Sequence, residues 1–266
     1  MTIQLTAYIE GIGLLGPGLS DWQSGRAILA GQQAYLPTKT LIPVPELLPA
    51  AERRRASDIV KLTLATSLEA LATAGQQDGN LPSVFSFSNG DGVNCHTICE
   101  MLASDDRQLS PTRFHNSVHN AAAGYWSIAT GNMATSSVLC AFDASFGAGL
   151  LDALTQVVID DTRCILMASD TPYPFPMFNK RPIPDNFGIA LVLAPQPSPQ
   201  AIARIQVSIC HESADQLQDA ELEALRMAIP SARGLPLLQA IAMQQNHRLV
   251  LDYLDDTRLA IEVSPC

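Results

Sequence analysis

Hydrophobic and polar positions alternate at the start of the chain: Ile3, Leu5, Ala7 and Ile9 are separated by polar residues or Tyr8, which predicts a strand. The glycines of Gly11-Ile12-Gly13 predict a turn that ends it. Ser20 or Asp21 then caps a helix that runs to Ala30 and stops at Gly31. The proline-rich stretch Leu36 to Pro49 reads as an extended surface segment with an apolar underside. From Ser57 to Ala74 the residues are apolar on nearly every helical face, which predicts a core helix stopped at Gly75. Val84 to Phe87 is a short strand entering the turn Ser88-Asn89-Gly90-Asp91-Gly92, with a helix to Leu102.

Further along, Asn116 to Thr130 predicts a second small-residue helix, because Ala121, Ala122, Ala123 and Gly124 give it a thin surface that another backbone can approach. Ser136 to Ala141 and Arg163 to Ala168 are strand-like, and Ser145 to Ile159 between them is helical. A proline-rich loop, Pro172 to Pro184, leads to a buried strand, Gly188 to Leu193. Beyond Pro195 to Pro199 the pattern gives helices over 220–228 and 235–244 and strands over 202–209, 248–253 and 259–263. The expected organisation is a first unit over 1–195 and a short divergent α/β tail over 196–266 packed on the same core.

Composition narrows the function. The chain has 266 residues, 47% hydrophobic and 16% charged, with a net charge of −10. That balance argues against nucleic acid or an anionic membrane surface as partner. No stretch approaches the roughly 20 apolar residues of a membrane span, and Met1 to Ile12 lacks a basic run, so the expected location is cytoplasmic. Six sparse cysteines, at 95, 99, 140, 164, 210 and 266, read as reduced, packed thiols.

Candidate chemistry is thin. The turn after the Val84 strand lacks both the phosphate-loop lysine and dinucleotide spacing, so no nucleotide cofactor is expected. Cys95, His96 and Cys99 lack a second ligand pair and read as a packed helical turn, leaving no metal site. His115 and His119 lie four apart and, if they share a helix face, suit a metal ion or a carboxylate. Candidate nucleophiles are Cys140 at a strand end and Ser145 in a first helical turn, with His247 the base that the tail would have to supply. The acidic pairs Asp160-Asp161 and Asp255-Asp256 read as solvated turns.

Several segments together form a recognisable order: YIEGIGLLGPG, RRRASDIVKLTLATSLEALATAG, VFSFSNGDG, SPTRFHNSVHNAAAGYWSIATG and MFNKRPIPDNFGIALVLA. The most specific is N-S-x-x-N-x-x-A-G-x-x-S-I-x-x-G at Asn116, Ser117, Asn120, Ala123, Gly124, Ser127, Ile128 and Gly131. Over residues 1 to about 195 the chain resembles the first half of the β-ketoacyl synthases. The resemblance implies a thiolase-like layered α/β fold, first half only. It also implies a nucleophile position at the start of the helix after the Ser136 strand. Counting back from Ile165 places that position at Ala144, which cannot carry an acyl group.

The resemblance thus implies a non-catalytic, chain-length-factor-like subunit that pairs with a full-length ketosynthase, as in bacterial aryl polyene synthesis, with no cofactor. The acyl carrier protein would then meet the complex on the partner's surface. The resemblance puts Asn116, Ser117, His119, Asn120, Ala122, Ala123, Ser136, Val138 and Cys140 at the partner interface or acyl tunnel. The competing reading is a diverged acyltransferase or esterase using Cys140 or Ser145.

Overall fold

In the computed structural model, which describes residues 4–76 and 80–266, the first strand passes straight through the glycines expected to end it. Strand β1 spans Gln4–Leu15 and helix α3 spans Asp58–Thr73. A Cβ at Gly11 would stand 2.0 Å from the Ala70 carbonyl oxygen, and one at Gly13 would stand 1.8 Å from that of Thr66. The two glycines are therefore contact residues: they let α3 lie directly on the strand. Beyond Ile9, β1 has no strand neighbour on one side among the described residues, and α3 supplies the partners there. The Thr73 hydroxyl accepts from Ile12 N at 2.9 Å, and the Glu69 carboxylate accepts from Leu14 N at 2.9 Å. Ile3, the first residue of the expected alternation, lies outside the described residues.

The remaining elements follow as α1 Trp22–Leu29, α2 Ala50–Arg55, β2 Ser83–Phe87, α4 Gly92–Ala103, α5 Pro111–Asn116, α6 Ala121–Thr130 and β3 Ser136–Cys140. Then come α7 Ser145–Ile159, β4 Cys164–Asp170, β5 Phe187–Ala194, β6 Ala203–Cys210, α8 Ala220–Ala228, α9 Leu235–Ala242, β7 His247–Asp252 and β8 Arg258–Pro265. The strands form one mixed sheet in the order β3-β2-β4-β5-β1-β6-β8-β7. Only β3, β2 and β4 run parallel to one another; every other pairing is antiparallel.

Both sheet faces are covered, and the strands alternate accordingly. Ile165 and Met167 of β4 join the core beneath α3 and α6, whereas Leu166 and Ala168 join the core beneath α7, α1 and α9. Residues 196–266 extend the same sheet by three strands and help to cover its α7 face. The stretch Phe142–Ile159 is long and apolar enough to cross a membrane, against the expectation that no stretch would be, and half of it is buried in the fold as a core helix.

Three further expectations change. The helix expected over 116–130 is two helices, because Ser110 and Pro111 start α5 and the chain breaks at 117–120 before α6. Thus His115 and His119 share no helix face. Of the cysteines only Cys164 is buried, its thiol pushed up to about 12 by burial; Cys95, Cys99, Cys140 and Cys266 are exposed. In the segment 36–49, Leu48 faces inward, but Leu36, Leu41, Val44 and Leu47 face solvent.

Two carboxylates tie distant parts of the chain together. Glu10 is the extra residue at a bulge in β1 and is fully buried. Arg163 donates to it at 2.7 and 3.1 Å, and Ser198, in the crossover between β5 and β6, at 2.5 Å. Burial works to raise the Glu10 pKa, but these hydrogen bonds outweigh it and hold the group below the usual carboxylate range. Asp170, wholly buried at the end of β4, accepts from Ser88 N at 2.9 Å and from Ser231 N, in the tail, at 2.7 Å.

The two sheet edges differ. At β7 the Asp215 segment reaches the outer side, with Val250 N donating to its carboxylate at 2.7 Å and Val250 O accepting from Asp215 N at 2.9 Å. At β3, Ser136 to Cys140 pair only with β2. Among the described residues no backbone hydrogen bond covers the outer side of that strand.

Breaking the bonds of either buried carboxylate should be costly. Arg163→Met should lower stability by about 3 kcal/mol, the low end for a broken buried pair because the guanidinium is 40% exposed. Since the Glu10 pKa is depressed in the fold, its contribution is present above the unfolded value near 4.5 and is lost as pH falls through the folded one. The difference from wild type should therefore shrink in acid, as urea unfolding at pH values above and below 4.5 will show. Asp170→Ala strands two buried amides and should cost about 2 to 4 kcal/mol, with faster hydrogen exchange at Ser88 and Ser231.

Candidate functional site

The parallel strands β2, β3 and β4 end on the same side of the sheet, next to the switch to antiparallel pairing at β5. Loops at the carboxyl ends of parallel strands are where α/β folds place their sites. Here the turn after β2, the β3–α7 connection and a 3₁₀ turn of the tail, Pro230–Gly234, come together, and Asp170 fixes the first to the third.

The two candidate nucleophiles have structural partners. Ser145 is buried, and its Oγ lies 2.7 Å from the Phe142 carbonyl oxygen and 3.0 Å from that of Phe87, while it accepts from Ala141 N at 3.1 Å. Its proton is thus directed at backbone carbonyls and away from any base. The Cys140 thiol donates to the Ser88 carbonyl oxygen at 3.0 Å. His119 stacks near Phe87, with ring centroids 5.9 Å apart, and desolvation on that side pushes its pKa down. Among the described residues no hydrogen bond joins it to Cys140 or Ser145.

His247 opens β7, the strand at the opposite edge of the sheet from β3. It is the far end of β7, at Asp252, that approaches Gly147 of α7, roughly 17 Å from His247 along the strand. The base required from the tail is therefore absent from the β3–α7 connection. His96 pairs with Glu100 at 3.2 Å. Among the described residues no three His, Cys, Asp or Glu side chains are grouped to hold a metal ion.

Ala144 does not face the site. A 3₁₀ turn, Phe142–Ala144, lies between β3 and α7 and buries the Ala144 methyl, while Phe142 is turned outward. Counting along the helix does not detect this turn. Asp143, next in line, pairs with Arg181 at 2.5 Å and lies 3.7 Å from Arg233 of the tail turn. Arg233 also reaches Asp252 at 3.1 Å, and Asp252 in turn holds Arg226 at 2.7 Å. No local sequence signal announces this ion-pair network, because its members are scattered from 143 to 252.

The residues expected at an interface divide into two groups. Ala122 and Ala123 are buried in the core beneath α6, and buried Asn116 donates to the Arg55 carbonyl oxygen at 2.9 Å and accepts from the Tyr125 hydroxyl at 3.2 Å. These residues build the fold and are not free for a partner. Ser117, His119 and Asn120 are exposed in the break between α5 and α6. Gly124 has nothing within 4 Å of a would-be Cβ, and Ile128, Phe114, Val118 and Met133 are exposed apolar neighbours in sequence. Along β3, Ser136 and Cys140 are exposed and Val138 is partly buried against the core.

Charge is distributed unevenly. A groove of about 730 Å³ is lined by Lys39, Arg54, Arg55 and Arg113 together with Asp58, Asp91 and Asp185. Asp58 is paired with Lys61 and Arg55 with Glu52, while Asp91 caps α4 and Asp185 accepts from the Thr40 and Asn186 amides. A net charge of −10 therefore does not by itself exclude an acidic partner from this face.

The family model for the β-ketoacyl synthase N-terminal domain matches residues 22–251, which carries the match past residue 195 into the tail. No curated protein matches the sequence. Among solved structures, the fold is similar to a chain of the complex of the ketosynthase ApeO with its chain length factor ApeC from Xenorhabdus doucetiae. That match has 20% identity and a TM-score of 0.71 over 97% of this chain and 99% of that one. The ishigamide ketosynthase/chain length factor is similar at 13% identity and a TM-score of 0.71, over 97% and 98% of the two chains. The ketosynthase from module 1 of the bacillaene synthase of Bacillus amyloliquefaciens FZB42 shares 9% identity at a TM-score of 0.68, over 98% of this chain and 76% of that one. With its thiolase-like layered α/β fold and a family match over most of its length, the chain belongs to the β-ketoacyl synthase N-terminal-domain family.

Proposed function

We propose that the protein is a non-catalytic, chain-length-factor-type subunit that pairs with a full-length β-ketoacyl synthase and helps to enclose the growing acyl chain. One observation carries this reading. At the turn between β3 and α7, where the family resemblance implies an acyl-carrying thiol, the side chains are Phe142, Asp143 and buried Ala144, and the adjacent Ser145 hydroxyl is directed at backbone carbonyls. None of these can form the thioester on which condensation depends.

The uncovered β3 edge and the exposed Phe114, Val118, Ile128 and Met133 support pairing through this side of the molecule. The similarity of fold to chains from ketosynthase and chain length factor complexes points the same way. The reading makes this a cytoplasmic subunit without a cofactor, working in a polyene-type elongation system whose acyl carrier protein engages the complex. The interface should be of obligate size, about 2,000 Å² or more in total, with an apolar centre.

The purified chain supplied with acyl and malonyl carrier thioesters should form no elongated product; turnover by the chain alone would overturn the reading. Co-expression with a ketosynthase from the same gene neighbourhood should yield a 1:1 complex on size exclusion. Ile128→Arg should abolish that complex while leaving the chain's own unfolding midpoint within error, because the side chain is exposed. Beside His119, which the resemblance puts at the interface or tunnel, Gly90 has room for a side chain: a Cβ there would meet the His119 ring edge at 3.7 Å. Gly90→Leu in the assembled complex should shift products to shorter chains. Enlarging Ala122 or Ala123 should instead cost about 1 to 3 kcal/mol by overpacking the core.

A further inference from the structure

We infer that the position this fold presents for chemistry is held by Phe142, and that Arg181 is a positioning residue lying over its ring, so that the turn presents a clamped aromatic side chain where a thiol would stand. The inference rests on the subunit reading above and names the residue that stands where an acyl-carrying group would be. Strand β3 ends at Cys140 and α7 begins at Ser145. In the turn between them the three side chains diverge: Ala144 is buried, Asp143 is paired with arginine, and Phe142 is 60% exposed. Phe142 also has φ +53°, a left-handed backbone that a bulky residue adopts only under constraint. A sharp strand-to-helix turn with one strained, outward-facing residue is how α/β folds lift a nucleophile clear of the backbone. The same device lifts an aromatic ring here.

The constraint is visible. The Arg181 guanidinium carbon lies 3.5 Å from the centre of the Phe142 ring, and the same guanidinium donates to Asp143 at 2.5 Å. Asp143 also faces Arg233 of the tail, which pairs with Asp252. Arg181 is therefore held from the far side while it covers the ring. Four guanidinium groups, of Arg181, Arg226, Arg233 and Arg258, adjoin three carboxylates, of Asp143, Asp252 and Glu223. The Nε atoms of Arg181, Arg233 and Arg258 are buried with no acceptor. This surplus of positive charge predicts that a thiol introduced at position 142 would ionise readily, whereas one at position 144 would be enclosed.

Phe142→Cys and Ala144→Cys, made separately in the full chain and confirmed as folded by circular dichroism, would be reacted with iodoacetamide across a pH range spanning the ordinary thiol pKa of about 8.5. Peptide mass spectrometry would assign each label, with native Cys95, Cys99, Cys140 and Cys266 as references. Phe142→Cys should label about tenfold faster than Ala144→Cys near neutral pH, with a midpoint below about 8.5 that moves back up when Arg181→Met is added. Equal or faster labelling of Ala144→Cys would overturn the assignment, and an unmoved profile with Arg181→Met would remove the clamp. Phe142→Gly gives an independent reading. Since glycine suits a left-handed turn, it should leave the melting temperature unchanged or higher, and a clear fall would make Phe142 a packing residue and overturn the proposal. Turnover by the unmodified chain would defeat the subunit reading but would leave these labelling ratios where they are.

Discussion

The geometry of the whole site side depends on one buried carboxylate. Asp170 gives one oxygen to the amide of Ser88, in the turn after β2, and the other to the amide of Ser231, in the tail. Burial disfavours its charge and pushes its pKa up, against the lowering effect of those two hydrogen bonds. By holding Ser231 it positions the 3₁₀ turn that brings Arg233 to Asp143, and by holding Ser88 it positions the carbonyl that accepts from Cys140. First unit and tail therefore meet at this buried joint, in addition to their pairing in the sheet and the Glu10 bond to Ser198.

That joint explains why the tail is better regarded as part of the fold than as an appendage. Strands β6, β8 and β7 continue the sheet from β1, and helix α9 supplies Leu235, Leu237 and Leu238 to the core beneath α7. The bulge at Glu10 and its bonds to Arg163 and Ser198 fix the crossover that leads into these strands. The tail also contributes five of the seven residues in the ion-pair network at the β3–α7 turn, so the arrangement of that turn is a property of the whole chain.

Much of the architecture is legible from periodicity, because strands buried on both faces and helices packed on them leave strong local patterns. The boundaries of β5, β7 and α8 fall within a residue or so of the hydrophobic runs that predict them. The features that escape such a reading depend on partners far away in sequence. Gly11 and Gly13 look like turn residues until Thr66 and Ala70 are placed against them. Asn116 looks like an interface group until Arg55 and Tyr125 claim it. Counting back from β4 reaches Ala144, but it carries no sign that a 3₁₀ turn there buries this residue and exposes Phe142 two places earlier. Cys95 and Cys99 mislead for a related reason: apolar neighbours in sequence do not report which side of α4 meets solvent.

The contrast between the sheet's two edges bears on how much of this chain a cell can tolerate. At β7 the Asp215 segment occupies the outer backbone groups, and exposed His247 and Arg248 add polar side chains, as protected edges in native sheets do. At β3 the sequence Ser-Ser-Val-Leu-Cys carries no charge, and its outer backbone groups accept any strand that arrives. Molecules synthesised beyond the supply of whatever covers β3 share an adhesive edge with one another. If a partner covers β3 as the subunit reading holds, production balanced between the two chains limits self-association at the short strand on the rim of the sheet.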